Sequence, residues 1–416
     1  MSNKKRILFI GRYTSPDVLK SLHFRSWKVD DIIRSMFGRP KFYFPNVPVW
    51  YMDYVDQFRK HPEYEYHIVA PFKQLKHNIE EYTDSTGIHF HFYRLDSNYI
   101  VETYKKITNS DERNDYERIR QYGRQIFNKV KPDIIVLCGA ENQDYSGLVL
   151  EAGDTPTVVI VETLLNDTNR KNLGIGNDYR RGLEKRIFQK CDYFITTIRE
   201  WGSYIKSQNP NAQIVPIKFV SHEPVIIEDA EIKYDFVFFA RSVSRQKGGI
   251  DLIQAMGLVC HKRPTATLNI IGSVDKNIKD EIEQTIREYS LDNNIHFQGF
   301  NKNIEDTYRQ VQEAKIVVVP GITNTFNSTI REAMFMRRPT ICYDNAAIRE
   351  VNEVKTCLIP AEMGNVKDLA EKMIYALDHT EETTAIANNG YKYAQEKFSN
   401  NLIGNQIICF FNSLLQ

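Results

Sequence analysis

The stretch VVVPGITNTFNSTIREAMFMRRPTI, residues 317–341, decides the fold. Val317 to Val319 form an uninterrupted β-branched run that predicts a strand covered on both faces, and Pro320-Gly321 ends it. Asn327 and Ser328 are favourable helix caps, so an apolar helix is predicted from Ile330 to Met336. A helix that begins at the carboxyl end of a parallel strand offers free N–H groups and a dipole that favours an anion. The stretch therefore predicts a phosphate-binding site.

The same alternation of short apolar runs and longer amphipathic segments continues in both directions. RILFIG, PDIIVLCGA and TVVIVET are examples before it, and YDFVFFA and PTICYD belong with it. Such alternation predicts parallel sheets with crossover helices. The runs fall into two sets. Between them lies an aperiodic segment, Val215 to Asp235, that contains Pro216 and Pro224. We predict an α/β protein with two doubly wound Rossmann-like domains facing a cleft: residues 1–217, a linker at 218–233, and residues 234–399, with a helix at 400–416 assigned to the first domain.

Composition narrows the function class. The chain has 416 residues, of which 42% are hydrophobic and 26% charged, and its net charge is +1. This balance gives no bulk attraction to nucleic acid or to an anionic membrane. Six cysteines occur singly with no CxxC, so neither a zinc site nor a disulfide framework is predicted. The first apolar run is too short for a signal peptide or a membrane span, and we expect a cytoplasmic protein.

Two cations follow the first strand of the second set. In FVFFARSVSRQKGGIDLIQAM, Arg241 is predicted directly after the strand, and Lys247 precedes Gly248 and a helix. With the helix start at Ser328, this pair could hold a diphosphate. The alternative is that both are solvated loop residues, as most Arg and Lys are.

Four segments in this half resemble a known family. FFARSVSRQKGGIDLIQAM, LNIIGS, IHFQGF and NTFNSTIREAMFMRRPTI together resemble the carboxyl-terminal domain of the retaining GT-B glycosyltransferases of family four, over Tyr234 to about Ser399. The resemblance implies that Arg241 and Lys247 bind the pyrophosphate and that Glu332 accepts hydrogen bonds from the ribose. Asn324 stands where the family has a glutamate that contacts the donor sugar. The remaining positions implied are the helix start at Asn327, Ser328 and Thr329, and two turns that line the nucleobase, Gly272-Ser273 and Gly299-Phe300.

The amino-terminal half resembles the family only in architecture. Glu162 stands where members commonly place a histidine, so we hypothesise that the charged sugar contact has moved from position 324 to Glu162. A salt bridge from Glu162 to a nearby basic residue is an equally open alternative. His89 and His91 alternate as strand residues do, which favours a structural role over metal binding.

The resemblance implies transfer of a sugar from a nucleotide diphosphate sugar, such as a UDP or GDP sugar, to an acceptor hydroxyl with retention of configuration, as in polysaccharide synthesis. No DxD tripeptide occurs, so we expect neither a metal nor a further cofactor. The expected acceptor is a saccharide or a lipid-linked glycan. A nucleotide-sugar epimerase or phosphorylase and a catalytically silent binding protein remain alternatives, and no GxGxxG supports a dehydrogenase.

Two further segments bear on the acceptor. The aromatic and proline-rich segment 38–52 is either an acceptor loop or a packed surface loop. The basic residues Arg180, Arg181, Lys185 and Arg186 of one helix either form a solvated face or attract an anionic acceptor held at the membrane.

Overall fold

The computed structural model describes residues 4–13, 16–25, 28–38, 52–95, 99–172, 174–301, 303–322 and 326–416. The chain divides into two units. The N-terminal unit comprises residues up to Val220 together with 401–416, and the C-terminal unit comprises Ser221–Asn400. Segment 39–51 of the aromatic loop and Asn324 lie outside the described residues.

The N-terminal unit is built on an eight-stranded sheet in the order β3-β4-β2-β1-β5-β6-β7-β8. Only the edge strand β3 is antiparallel to its neighbour, β4, and the other pairings are parallel. The strands are Arg6–Ile10 (β1), Glu65–Lys73 (β2), Ile79–Thr83 (β3), His89–Leu95 (β4), Ile134–Cys138 (β5), Thr157–Ile160 (β6), Tyr193–Ile195 (β7) and Gln213–Val215 (β8).

Helices accompany these strands in sequence. They are Pro16–Ser21 (α1), Lys28–Met36 (α2), Met52–Phe58 (α3), Tyr99–Thr108 (α4), Ser110–Arg113 (α5), Glu117–Val130 (α6), Thr168–Asn172 (α7), Asp178–Lys190 (α8) and Arg199–Gln208 (α9), with a 3-10 turn at Ser146–Glu151.

The C-terminal unit is built on a six-stranded parallel sheet in the order β11-β10-β9-β12-β13-β14. Its strands are Tyr234–Val243 (β9), Leu268–Val274 (β10), Ile295–Gly299 (β11), Ala314–Val319 (β12), Thr340–Tyr343 (β13) and Ile359–Ala361 (β14). The helices that follow are Gly249–Lys262 (α10), Lys276–Tyr289 (α11), Ile304–Gln312 (α12), Ser328–Phe335 (α13), Ala346–Val351 (α14), Val366–Asp378 (α15), Thr380–Phe398 (α16) and Asn400–Leu414 (α17).

Both sheets are covered on both faces, because alternate residues of each central strand enter different clusters. In β1, Ile7 and Phe9 join one core cluster while Leu8 and Ile10 join another. In β9, Phe236 and Phe238 are separated from Val237 and Phe239 in the same way. Each unit therefore has three layers, and the prediction of an α/β fold with two doubly wound domains is confirmed.

The last helix, α17, packs its apolar face on the N-terminal unit. Ile403, Ile407 and Phe411 are fully buried in the same cluster as β1. The Lys60 ammonium donates a hydrogen bond to Asn401, and the Tyr64 hydroxyl donates one to Asn412. The amphipathic helix thus covers a sheet face distant in sequence.

The segment predicted as a linker, 218–233, contains the division between the units, at Val220/Ser221. The part after the division is hydrogen-bonded to α12 within the C-terminal unit. The Ile227 amide donates to Gln312 Oε1 at 2.8 Å, and Gln312 Nε2 donates to the Val225 carbonyl at 3.0 Å. A fully buried glutamine therefore fixes an aperiodic segment that has no strand or helix of its own.

Candidate functional site

The C-terminal sheet has one topological switch point, between β9 and β12. Chain connections run outward from β9 to β10 and β11 on one side, and from β12 to β13 and β14 on the other. Ligands of doubly wound proteins bind outside the carboxyl ends of the strands at such a point. The β9–α10 loop carries Lys247, and the segment after β12 leads to Asn327 and Ser328. The sequence-predicted cation and helix start therefore flank the switch point.

Two backbone contacts join the segments on either side of the switch point. The Ile322 amide donates a hydrogen bond to the Gln246 carbonyl at 2.9 Å. Gly248, with a φ of 74°, lies so close to Pro320 that a Cβ at this position would be 1.9 Å from the Pro320 carbonyl oxygen. Only glycine permits both the positive φ and this approach. The backbone next to Lys247 is thus fixed against the segment that leads into α13.

Helix α13 begins with an ordered cap. The Asn327 side chain accepts a hydrogen bond from the Thr329 amide at 3.0 Å, which satisfies one of the free N–H groups of the first turn. Ser328 is exposed, whereas Thr329 is 8% exposed. The predicted apolar helix from Ile330 begins two residues too late, because Ser328 and Thr329 are already helical, whereas the Asn327 cap is extended.

The two predicted cations, Arg241 and Lys247, differ in environment from a third cation in the same segment, Arg245. Arg241 is exposed and, within the described ranges, forms no ion pair, while Lys247 is half-buried. Arg245 instead binds Glu281 of α11 through both terminal nitrogens, one of them at 3.3 Å from the carboxylate. The segment therefore holds one arginine already committed to a carboxylate and another exposed at the carboxyl end of the sheet.

The strand boundaries correct two predictions. Arg241 does not follow β9 but lies within it, since the strand continues to Val243. Gly272 and Ser273 do not form a turn but lie within β10, where Ser273 pairs with Ser242. The register shifts between Ile271 and Ser273, and a Cβ on Gly272, at a φ of 143°, would be 2.1 Å from the Ala240 carbonyl oxygen. A glycine bulge therefore lets both strands continue toward the sheet edge.

The other described positions that the resemblance implies lie on or directly after two elements of the same unit, β11 and α13. Gly299 ends β11 with a φ of 76°, and the Phe300 ring that follows it is 44% exposed. Glu332 is half-buried in α13. An exposed aromatic ring at the end of a strand is available to stack on a planar group.

In the N-terminal unit, the Glu141 carboxyl lies in the segment after β5. This residue was not selected from the sequence. Glu141 turns back over Gly139, where a Cβ would be 2.5 Å from its Oε2 atom. This oxygen is inaccessible to solvent and, among the described residues, has no hydrogen-bond partner. The pKa of Glu141 is raised to about 7, mainly by burial; the nearby Glu184 carboxylate contributes to the rise, whereas a backbone hydrogen bond and the charges of Arg180 and Arg170 oppose it. The strand-end glycine followed by an acidic residue was the sequence signal for this group.

Glu184 and Glu162 complete this acidic edge. Glu184, fully buried in α8, accepts hydrogen bonds from the Leu165 amide at 2.8 Å and the Asn166 amide at 3.0 Å, and thereby orders the loop after β6. Glu162, at the start of that loop, is half-buried. Burial raises the pKa of the Cys138 thiol, and the charges of Glu162 and Glu141 raise it further, so both carboxylates lie near the end of β5.

Three histidines, one on β2 and two on β4, belong to a polar network with side chains of β2 and β3. His67 Nδ1 and His91 Nε2 are 3.0 Å apart, while His67 Nε2 is 2.9 Å from Glu65 and His91 Nδ1 is 3.0 Å from Glu81. His89 hydrogen-bonds with Thr83 at 2.9 Å. Among the residues that the structure describes, no group of three His, Cys, Asp or Glu side chains is arranged to hold a metal ion.

The basic residues of α8 are largely engaged within their own unit. Arg180 Nε donates to the Glu141 carbonyl at 2.8 Å, Arg181 donates to the Ile175 carbonyl at 2.8 Å, and Arg186 binds Asp115. None of the helices in the described ranges combines the length and apolarity needed to cross a membrane.

Comparison with known proteins agrees with the fold described above. Residues 226–393 match the family model of glycosyl transferases group 1. A sequence comparison with curated proteins finds no match. The fold is similar to that of sucrose-phosphate synthase from Thermosynechococcus elongatus, with 14% identity and a TM-score of 0.68 over 99% of each chain.

Two other similar structures contain nucleotide. Anabaena HepE, in complex with UDP and glucose, has 15% identity and a TM-score of 0.63 over 98% of this chain and 100% of HepE. A mutant of S. aureus TarM, in complex with Fondaparinux, alpha-GlcNAc-glycerol and UDP, has 17% identity and a TM-score of 0.57 over 70% of this chain. The present chain spans 58% of the length of that TarM chain. Residues 226–393 therefore resemble the glycosyl transferases group 1 family, and the chain has the two-domain α/β fold of the GT-B glycosyltransferases.

Proposed function

We propose that this protein transfers a glycosyl unit from a nucleotide diphosphate sugar to an acceptor hydroxyl with retention of the anomeric configuration. The observation that carries the proposal is the switch point of the C-terminal sheet. There the Gln246–Ile322 hydrogen bond and the Gly248–Pro320 contact join the loop that holds Lys247 to the segment that leads into α13. An exposed arginine, a lysine and a helix N-terminus are the groups that bind a diphosphate.

The chemistry follows from the charge that develops on the leaving group. The bond between the anomeric carbon and the phosphate oxygen breaks while the acceptor oxygen bonds to that carbon. The departing diphosphate gains negative charge, which Arg241, Lys247 and the amides near Ser328 and Thr329 would stabilise. The leaving phosphate oxygen accepts the acceptor proton on the same face of the sugar, so this route uses no protein base. Neither a metal nor a further cofactor belongs to this proposal.

The proposed donor is a UDP or GDP hexose, and UDP sugars are the first to test because HepE and TarM were solved with UDP. Glu332 would accept hydrogen bonds from the ribose hydroxyls. The base would lie among Gly272, Ser273, Gly299 and Phe300, and Asn324 stands where the resemblance implies a glutamate that contacts the donor sugar. The acceptor is a saccharide or a lipid-linked glycan of a cell-surface polysaccharide, synthesised in the cytoplasm or at the inner face of the membrane.

The test compares three single substitutions within one segment. Arg241→Ala and Lys247→Ala should each lower the rate of sugar transfer, or of donor hydrolysis, by about 10²–10³, since each removes a group that stabilises the leaving diphosphate. Arg245→Ala is the matched control, because Arg245 is already bound to Glu281. A donor screen by thermal shift identifies the substrate first, and initial rates are then measured on the folded variants. Wild-type rates for both Arg241→Ala and Lys247→Ala would refute the proposal.

Glu162 supplies a second test of the same function. We propose that its carboxylate, rather than a group at position 324, contacts hydroxyls of the donor sugar or of the acceptor. Glu162→Gln should then lower the turnover number at least tenfold for the preferred donor and change the ranking of donors. Unchanged turnover with every accepted donor would show that Glu162 has a structural role.

A further inference from the structure

Helix α2 of the N-terminal unit exposes a stripe of apolar side chains. Val29, Ile32 and Met36 recur at intervals of three and four residues, which places them on one side of the helix. Each of them is between 61% and 78% exposed, and Phe37, directly after the helix, is exposed as well. On an ordinary surface helix such a stripe faces the core.

Helix α4 repeats this arrangement. Ile100, Tyr104 and Ile107 recur at intervals of four and three residues, and each is between 58% and 77% exposed. Val101, three residues before Tyr104, is also exposed. The structure describes α4 throughout, and none of its residues is buried. Its apolar stripe therefore faces solvent rather than the core of the unit.

The polar sides of both helices face the protein instead. Within α2, all of which is described, the only buried residue is Asp30, whose carboxylate accepts hydrogen bonds from Arg34 Nε at 2.7 Å and from the Tyr99 amide at 2.7 Å. Glu102 of α4 is 2.9 Å from Lys73 Nζ, at the end of β2, and 3.3 Å from Arg34. The usual amphipathic arrangement is thus inverted, because polar side chains attach these helices to the unit.

The two stripes belong to one surface. The Arg34 guanidinium of α2 lies 5.5 Å from the centroid of the Tyr99 ring, and the Phe37 ring is 5.6 Å from the same ring. Since Tyr99 is the first residue of α4, the exposed end of α2 lies beside the start of the α4 stripe. We call the eight exposed apolar residues, four from each helical region, the α2/α4 face.

The size of the α2/α4 face is that of a protein interface. An exposed aliphatic or aromatic side chain offers on the order of 100 Å² of surface, so the face offers roughly 800 Å². The largest apolar patch of a typical monomer is about 300–600 Å², whereas each partner in a standard interface contributes about 800 Å². The face is therefore large enough to be covered by one protein partner.

The charges of the two helices do not favour a lipid bilayer as the partner. The helices carry four basic and three acidic side chains, which gives a net charge of +1. Two of the basic side chains are paired, Arg34 with Asp30 at 2.7 Å and Lys105 with Asp111 at 2.9 Å. Helices that lie on an anionic membrane are rich in Lys and Arg on their polar side. The α2/α4 face lacks this excess of positive charge.

A second copy of this chain fits the face. The net charge of the whole chain is +1, so two copies do not repel each other appreciably. The cores of protein interfaces are enriched in aromatic residues and Met and depleted of charged residues, and the face contains Phe37, Tyr104 and Met36 but no charged residue. In a dimer with twofold symmetry the same face is buried on both chains, so one contact covers both exposed surfaces.

We propose that the α2/α4 face is the interface of a homodimer, in which the face of one chain packs against the same face of a second copy. The proposal goes beyond the proposed function and does not depend on it. The residues assigned to the donor in that function lie on other elements of the chain.

The experiment measures association of the full chain by sedimentation velocity, at concentrations from about 1 to 100 μM. Ile32→Glu and Tyr104→Glu each place a carboxylate within one stripe of the face. Val354→Glu is the matched control, because it replaces an apolar side chain that is 88% exposed in the C-terminal unit. All three positions are exposed, so the variants should fold, and circular dichroism with urea unfolding confirms this.

We expect wild type and Val354→Glu to sediment with twice the mass of one chain, and each of the other two variants to have a dissociation constant at least 100-fold higher. Amides of residues 28–37 and 99–108 should also exchange more slowly in wild type at the highest concentration than at the lowest. A monomeric wild type would overturn the proposal, as would a dimer that either Ile32→Glu or Tyr104→Glu forms as tightly as wild type does.

A second measurement identifies the bilayer as the occupant if wild type is monomeric. Vesicles of phosphatidylcholine and phosphatidylglycerol in equal parts are mixed with the protein and floated on a density gradient. Flotation of a monomeric wild type, together with its loss in Tyr104→Glu, would assign the α2/α4 face to a lipid surface and refute the homodimer. Sugar transfer is not measured in either experiment, so neither result bears on the proposed function.

Discussion

Replacing Gly248 with alanine should disrupt the contact that joins the two sides of the switch point. Gly248 has a φ of 74°, and its added Cβ would lie 1.9 Å from the Pro320 carbonyl oxygen and 2.7 Å from the carbonyl carbon. Both atoms belong to the backbone, so no side chain can rotate away. The loop must move, and the hydrogen bond from the Ile322 amide to the Gln246 carbonyl is strained with it.

Three effects determine the magnitude. Left-handed backbone costs a residue with a Cβ about 1–2 kcal/mol, overpacking costs about 1–3 kcal/mol, and a weakened hydrogen bond costs about 1 kcal/mol. The smaller backbone entropy of alanine in the unfolded chain offsets about 0.4–1 kcal/mol of this loss. We therefore expect the free energy of unfolding of the C-terminal unit to fall by about 2–6 kcal/mol.

Gly364 provides a matched control in the same unit. Its φ is 75°, and a Cβ there would meet no atom within 4 Å. Gly364→Ala therefore carries the same backbone cost without the collision, and we expect a loss of about 1.5 kcal/mol or less. The difference between the two variants isolates the contact with Pro320.

Native-state hydrogen exchange, followed by mass spectrometry on peptides from β9 and β12, measures the stability of this unit separately from the other. The affinity for the donor nucleotide is the second measurement, and it should fall at least tenfold in Gly248→Ala and less than twofold in Gly364→Ala. Losses of stability that agree within 1 kcal/mol in the two variants would refute the argument, since the close approach would then carry no energy.

Two further predictions concern pH and the N-terminal unit, where fluorescence reports selectively because all three tryptophans of the chain precede residue 221. Because the pKa of Glu141 is raised to about 7, folding favours its protonated form, and the contribution of this residue to stability is lost as pH rises from about 4.5 through 7. Glu141→Gln should therefore reduce the difference between the free energies of unfolding in urea at pH 5 and at pH 8 by about 2–3 kcal/mol. An unchanged difference would contradict this prediction. Burial lowers the pKa of His67 to about 4, so folding favours the neutral ring, and its contribution is complete above pH 6.5 and lost as pH falls toward 4. His67→Gln should reduce the acid destabilisation between pH 7 and pH 4.5 by about 2 kcal/mol, and equal acid sensitivity of the two proteins would show that the ring is not the titrating group.

The fold could be predicted from the sequence because its central strands are covered on both faces. IIVLC in β5 and the run Val317–Val319 in β12 are continuous apolar segments, which distinguish buried parallel strands from amphipathic ones. The cap at Asn327 was also predicted, since a cap is a local property of a few residues. The position of Arg241 inside β9 was not predicted, because the length of a strand depends on its neighbour. Here the length of β9 depends on the bulge that Gly272 permits in β10.

The groups that the sequence did not reveal depend on contacts between distant segments. Glu141 acquires its raised pKa from burial beside Glu184, which α8 contributes, and neither residue is unusual when it is considered alone. A cavity in the N-terminal unit is assembled from the ends of β2 and β4, from α4 to α6, and from the segment after β5. The cavity becomes visible only when these segments are brought together.

Both sheets are doubly wound, yet the chemistry at their carboxyl edges differs. At the edge of the C-terminal sheet, Arg241, Lys247 and the start of α13 combine positive side chains with a helix dipole, an arrangement that selects for an anion. At the edge of the N-terminal sheet, the Glu141 carboxyl is buried and its pKa is raised to about 7, so this edge carries an acidic group that can be protonated near neutral pH. An arrangement that selects for an anion suits a diphosphate, whereas a buried carboxyl repels one. Since topology fixes only where a ligand can lie, the side chains at each strand end determine which chemical group a doubly wound sheet binds.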